Sequence, residues 1–312
     1  MQSPSARPRT GVSAEAEAWL HANPPADRTA IDEDNAELVR AAVRQGWEPS
    51  MAAVRAEFSV RERILEVGGV ECLEVTPSSG VTGPGTVLYF FGGGHTVGSP
   101  EEDIVISAPL AARAGVRVIA PRYPLAPEHP YPAAVDCAET TYRALLDTTD
   151  PAHLLVAGES AGGNLALALF QRARNARLPL PVAFVLLSPW ADMGFTGDSH
   201  LTNRDPFLVL TDDVLVQMAS LYRGETPVDD PLVSPVYADF TGLPPTFLTT
   251  GTRDLLLSDA VRLATAMRID GVDVTLRVWE GMWHVFEFYR EVPEARVSMA
   301  EIADFISSRL GH

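Results

Sequence analysis

The chain has 312 residues, 46% hydrophobic and 21% charged, the balance of a soluble globular protein with a sizeable core and room for one large domain or two small ones. Its 24 basic and 41 acidic residues give a formal charge of −17, which argues against a nucleic-acid partner and against an anionic membrane surface. No apolar run is long enough to span a bilayer, residues 1–17 lack the apolar core of a signal peptide, and Cys72 and Cys137 lack C-x-x-C spacing, so a cytoplasmic protein with two free thiols is expected.

Residues 1 to about 12 are polar and show no periodicity. From Ser13 to about Phe58 the pattern is helical. Ser13 is placed to cap a first helix through Trp19 and Leu20, and Asn23-Pro24-Pro25 breaks it. Leu38, Val39, Ala42 and Val43 then recur at helical spacing, followed by Trp47 and Met51. From residue 60 the character changes. Strands over 61–67 and 70–76 are joined at Gly68-Gly69, the signal of a hairpin. Apolar strands over 86–91, 116–120, 154–157, 183–187, 246–250 and 274–279 then alternate with helices over 103–114, 133–146, 160–174, 258–270 and 294–309. That alternation predicts an α/β fold, a mainly parallel twisted sheet of about eight strands with helices on both faces. Function in such sheets lies beyond the carboxyl ends of the strands. Residues 195–225 interrupt the alternation with Asp205-Pro206-Phe207 and a short helix over 212–222. The expected organisation is a helical cap segment over 1–58 and a catalytic domain over 59–312, with a cap insertion at about 195–225.

Gly158-Glu159-Ser160-Ala161-Gly162 reads as a nucleophile elbow, G-x-S-x-G, between the apolar strand at 154–157 and a run of helix formers. A sharp strand–turn–helix exposes the Ser160 hydroxyl, and the helix N-terminus aims N–H groups at any anion forming beside it. A serine needs a base to take its proton and an acid to orient that base. Asp254, at the end of a strand, and His284, at the end of the next, follow Ser160 in the order Ser, Asp, His. Asp259 is the nearest rival acid, but it falls within the helix at 258–270. His200 precedes Asp254 and His312 is the last residue, which leaves His284 as the base. Gly92 and Gly93, after the strand at 86–91, and Ala161 are the expected oxyanion-hole donors. Glu159, beside the nucleophile, either tunes the site or pairs with a nearby loop, and the structural role is preferred.

Six segments in this order resemble the hormone-sensitive-lipase-like (bacterial family IV) esterases of the α/β-hydrolase fold. They are Gly92-Gly93-Gly94 with Gly98-Ser99, residues 123–130 (Tyr-Pro-Leu-Ala-Pro-Glu-His-Pro), residues 158–165, Ser188-Pro189-Trp190-Ala191-Asp192, Gly251-Thr252-Arg253-Asp254, and His284. The resemblance implies an α/β-hydrolase fold with a helical cap, and hydrolysis of short-to-medium acyl esters or lactones through an acyl-enzyme, with no cofactor and no metal. The expected partner is a small-molecule ester or lactone, and a homodimer is left open. One departure concerns the glycine loop, where Phe91 stands in place of the usual His and His95 follows the glycines. His95, Trp190, Phe207 and Trp283 are the candidates for substrate contact, set against the ordinary reading of buried aromatics as core or cap. The alternatives are a tailoring deacylase or amidohydrolase with the same triad, and a binding protein of the same fold that has lost catalysis.

Overall fold

Gly68 and Gly69 take φ of 62° and 83°, the conformation of a two-residue hairpin turn, and join β1 (Val60–Val67) to β2 (Val70–Pro77) in antiparallel register. The structure, a computed structural model, describes residues 11–23, 30–204 and 212–311. Six further strands complete a single sheet: β3 (Thr86–Phe90), β4 (Arg117–Pro121), β5 (Leu154–Glu159), β6 (Ala183–Leu187), β7 (Thr246–Gly251) and β8 (Val274–Trp279). The strand order is β1-β2-β4-β3-β5-β6-β7-β8. β2 pairs antiparallel with both β1 and β4, and every other neighbouring pair is parallel.

β3, β5, β6 and β7 are buried along their whole length, as parallel strands covered on both faces must be. β5 runs two residues beyond the expected 154–157, because Gly158 and Glu159 still pair with Leu186 and Leu187 of β6. β4 is displaced by one residue, since its last residue, Pro121, lies opposite Cys72 of β2.

Ser13 caps α1 (Ala14–Ala22) as expected, its hydroxyl accepting the Ala16 N–H. α2 (Ala36–Glu57) runs straight through Pro49. Pro49 and Gln45 are both exposed, so the carbonyl that loses its partner faces water. The remaining helices are α3 (Ile104–Ala114), α4 (Ala133–Leu146), α5 (Ala161–Asn175), the single turn α6 (Ser199–Thr202), α7 (Asp212–Arg223), α8 (Leu257–Ile269) and α9 (Pro293–Leu310). α3 packs with α9, and α4 with α5, in layers against the sheet. Val87, Leu88, Val118, Ile119, Leu155, Val156, Val185 and Leu186 have no exposed surface. Burying each such side chain contributes about 1.5–3 kcal/mol.

A second apolar cluster joins Ala16 and Leu20 of α1 to Met282, Trp283 and Phe286 after β8 and to Ala295 of α9. The N-terminal helix therefore sits on the loop that carries His284. No helix among the described residues is long and apolar enough to cross a membrane.

Candidate active site

Ser160 occupies the tight turn between β5 and α5 with φ 53° and ψ −118°, a strained conformation for a residue with a side chain. The flanking glycines permit it. A Cβ on Gly158 would overlap the Gly162 carbonyl, and one on Gly162 would overlap the carbonyl of Phe90 at the end of β3. The Ser160 N–H donates to Leu187 O at 2.9 Å and its carbonyl accepts the Trp190 N–H at 2.9 Å, so the turn is bolted to the end of β6.

The three residues expected to form a triad lie together. His284 Nε2 stands 2.9 Å from Ser160 Oγ, and His284 Nδ1 stands 3.0 and 3.2 Å from the two carboxylate oxygens of Asp254. The two loops that carry Asp254 and His284 hold each other. Arg253 N–H donates to Met282 O at 2.9 Å, Gly281 N–H donates to Thr252 Oγ1 at 2.7 Å, and a Cβ on Gly251 would overlap Met282 O. Asp254 is wholly buried, which by itself would raise its carboxyl. The facing His284, the Ser188 hydroxyl and the Leu256 N–H outweigh burial and hold it below the usual carboxylate range. Asp259, the rival, is elsewhere: its carboxylate accepts the N–H groups of Ala191 and Asp192 at 2.8 and 2.9 Å and meets His200 Nε2 at 3.2 Å.

The glycine loop departs from expectation at Gly92. Its N–H donates to Glu159 Oε1 in a short hydrogen bond, so it is not free to meet an oxyanion. The N–H groups of Gly93, Gly94 and Ala161 meet no acceptor among the described residues, and Ala161 opens α5. Gly93 and Gly94 take φ of 92° and 63°, and Cβ atoms there would overlap Val97 O and Met218 Sδ. The Phe91 ring, where a histidine was expected by resemblance, stacks on Tyr123 with centroids 4.1 Å apart. The Tyr123 hydroxyl donates to Phe91 O at 2.6 Å, so the loop is braced from this ring instead. Arg40 of α2 adds a second brace, donating to Thr96 O and Ala126 O at 2.8 Å each and pairing with Glu128.

Three of the expected substrate-contact residues present no surface to a ligand. His95, Trp190 and Trp283 have 0% exposure. His95 stacks on Tyr222 at 3.7 Å, and burial lowers its imidazole to about 3, so the ring is neutral. Trp283 stacks on Trp19 of α1 at 4.8 Å, and Trp190 packs against Phe195. Their bulk decided their place: large apolar rings beside a buried loop fill core. Phe207 lies outside the described residues.

Three supporting roles escaped the sequence reading, that of Ser188 among them although the residue opens the resembling segment 188–192. Ser188 Oγ accepts the Val285 N–H next to His284 at 3.2 Å. Asn203 Nδ2 donates to Thr252 O and Asp254 O at 3.0 and 2.8 Å. Asp103 stands at the N-cap position of α3 but does not cap it; its carboxylate accepts the Tyr89 hydroxyl at 2.8 Å and faces Glu159. In sequence it looks like any helix-leading aspartate, and no spacing announces the partner.

Residues 87–288 match the family model described as alpha/beta hydrolase fold. The chain is 39% identical over 228 residues to an acetyl-hydrolase from Streptomyces hygroscopicus, covering 72% of this chain and 76% of the relative. It is 33% identical over 253 residues to an esterase from Acinetobacter venetianus, covering 80% and 83%. Among solved structures, it superposes with a TM-score of 0.86 and 33% identity on an esterase from the bacterial hormone-sensitive lipase (HSL) family, covering 96% of this chain and 100% of the other.

Proposed function

The chain belongs to the hormone-sensitive-lipase-like esterases of the α/β-hydrolase fold and is a carboxylic-ester hydrolase, and from that premise we propose that Ser160, His284 and Asp254 perform the hydrolysis. The hydrogen-bonded chain Ser160–His284–Asp254 is the observation that supports this assignment most directly. His284 Nε2 takes the Ser160 proton as Oγ attacks the ester carbonyl. Asp254 accepts the Nδ1–H bond, keeps the imidazole in the tautomer that can accept at Nε2, and stabilises the imidazolium that forms. The tetrahedral oxyanion meets the free N–H groups of Gly93, Gly94 and Ala161, each worth about 3 kcal/mol when aimed at it. Gly92, expected as a donor, acts one step back by holding the loop through Glu159. The alcohol leaves with the proton from His284, and the same base then activates water to release the acid.

The substrate in this reading is a short-to-medium acyl ester or lactone. The acetyl-hydrolase relative favours the short end. That name also supports a second reading, a deacylase that removes an acetyl group from one particular metabolite. Helices α1 and α2, with α6 and α7, form the cap over the cleft in this scheme, and the two unpaired thiols fit a cytoplasmic setting. The outer edge of β8 has no strand partner among the described residues, which leaves room for pairing across a homodimer.

Hydrolysis of p-nitrophenyl acetate, butyrate, octanoate and laurate by wild type and Ser160→Ala tests the proposal. Wild-type turnover is expected to peak at the short chains and to fall about 10⁴-fold or more in Ser160→Ala. Full activity in the purified alanine variant would remove Ser160 from the mechanism. Turnover of an acetylated amide with none on simple esters would favour the deacylase.

A further inference from the structure

The residue before the nucleophile carries a second arrangement of buried groups. Glu159 ends β5 with 2% exposure, and Asp103 precedes α3 with 7%. Each faces the other. Glu159 Oε1 accepts the Gly92 N–H, and Asp103 Oδ2 accepts the Tyr89 hydroxyl at 2.8 Å. A Cβ on Gly92 would overlap the Glu159 carboxyl, so the loop backbone lies directly against it. Resting on the assignment of Ser160 and the glycine loop above, we propose that Glu159 and Asp103 are a proton-sharing acid pair that positions the oxyanion loop, with the proton on Glu159 donated to Asp103 and the other Glu159 oxygen holding Gly92.

One shared proton completes the pattern, and placing it on Glu159 matches the deeper burial of that acid. Asp103 then accepts two O–H donors, from Tyr89 and Glu159, while Glu159 donates once and accepts once. Two bare carboxylates facing each other at 2% and 7% exposure would repel each other. The groups facing the pair supply no cation. They are the hydroxyls of Tyr89 and Tyr123, Glu102 beside Asp103, and Glu287 on the turn after β8. Arg44 and Arg122 pair with the outer acids Glu71, Glu101 and Glu102 instead. Burial first, and then mutual repulsion, push Glu159 well above the ordinary carboxylate range, and burial raises Asp103 to about 7. A neutral Glu159 is therefore the form that holds Gly92. Holding Gly92 fixes the next peptides, Gly93 and Gly94, whose N–H groups meet no acceptor among the described residues. Glu159 touches no reacting atom and is a positioning residue.

The test compares Glu159→Gln, Glu159→Ala and wild type on p-nitrophenyl butyrate from pH 6 to pH 10. Glutamine keeps an oxygen for Gly92 and a permanent N–H for Asp103. It is expected to retain wild-type kcat within about 3-fold at neutral pH. Alanine releases the loop, and kcat is expected to fall about 10²-fold with KM little changed, the cost of a misplacement near 1 Å. The ratio of wild-type to Glu159→Gln kcat is expected to decline toward pH 10, because only the wild type loses the shared proton. The proposal is overturned by an alanine variant with unchanged kcat, by a glutamine variant as damaged as alanine, or by a ratio that stays constant with pH. Where the alanine variant does not fold, the pH ratio and the same ratio for Asp103→Asn decide alone. A wild type without Ser160-dependent turnover would instead strike the hydrolase mechanism itself, a result readily told apart from any of these.

Discussion

Replacing Asp254 by asparagine isolates the electrostatic part of the proposed triad, because the side chain keeps its shape. One oxygen still accepts the Leu256 N–H, now at 2.9 Å, and the amide nitrogen takes the place of the oxygen near Thr250 Oγ1 at 3.3 Å and His284 Nδ1 at 3.2 Å. An amide N–H there favours the tautomer in which Nδ1 accepts and the imidazole proton sits on Nε2, pointing at Ser160. In that tautomer the base cannot take the serine proton. The imidazolium also loses its counter-charge. A unit charge pair 3.0 Å apart is worth about 5.5 kcal/mol at an effective dielectric of about 20. At about 1.4 kcal/mol per decade, that is about 10⁴ in rate, the size of the loss that this substitution causes in serine hydrolases of the same logic. The assay is kcat/KM on p-nitrophenyl butyrate at pH 7.5, with circular dichroism and Tm as controls. A folded variant that keeps more than about 1% of wild-type kcat/KM would refute the electrostatic role of Asp254.

Tyr123→Phe leaves the Phe91 carbonyl buried without its 2.6 Å donor while preserving the ring stack, and is expected to cost about 1–3 kcal/mol. Thermal melts are expected to drop by a few degrees and kcat to fall with it; an unchanged Tm would mean the hydroxyl braces nothing. The acid pair also makes a signed prediction for stability. Asp103, pushed up to about 7 by burial, and Glu159, raised by burial well above the ordinary carboxylate range, bind protons in the folded chain that the unfolded chain releases near ~4. The folded state then binds more protons, so stability falls as pH rises from ~4 to about 7. Urea midpoints are expected to be lower at pH 8 than at pH 5, and Asp103→Asn to narrow that difference; an equal difference in both proteins would contradict the pairing.

The strands and helices of this fold were legible because each obeys a local rule. Ala183–Leu187 and Val274–Trp279 are apolar runs of strand length, bounded by turn residues, and both formed where expected. Ala133–Leu146 has helical spacing and no breaker, and its ends matched as well. The errors fall where a non-local partner decided. β5 extends to Glu159 because β6 continues beside it, and β4 ends at Pro121 because that residue pairs opposite Cys72 of β2. In the site, the elbow glycines and chain order, both written in sequence, single out Ser160, Asp254 and His284, which the fold brings into contact. Gly92 was misassigned because an N–H direction depends on the acceptor opposite it, and Glu159 lies 67 positions away. Trp283 and Trp190 were offered as substrate contacts by type, but Trp19 and Phe195 cover them.

The buried carboxylates of this protein differ in the groups that face them. Asp254 and Asp259 are both wholly buried and each meets a histidine, with one backbone N–H on Asp254 and two on Asp259. Asp254 is held low, while burial keeps Asp259 high even against His200 and the Ala191 and Asp192 amides. Asp192 lies beside Asp259 and repels it, whereas Asp254 gains the Ser188 hydroxyl and the Leu256 amide. Glu159 and Asp103 face each other, neutral hydroxyls and the further acids Glu102 and Glu287, so the pair retains a proton on Glu159. An ionised acid suits the orientation of a base that must become cationic. A protonated one suits a loop whose N–H groups must be free to stabilise an anion, because a bare negative charge behind that loop would oppose the oxyanion it serves. In the proposed mechanism the charged Asp254 orients the base, and the neutral Glu159 holds the loop without opposing the oxyanion.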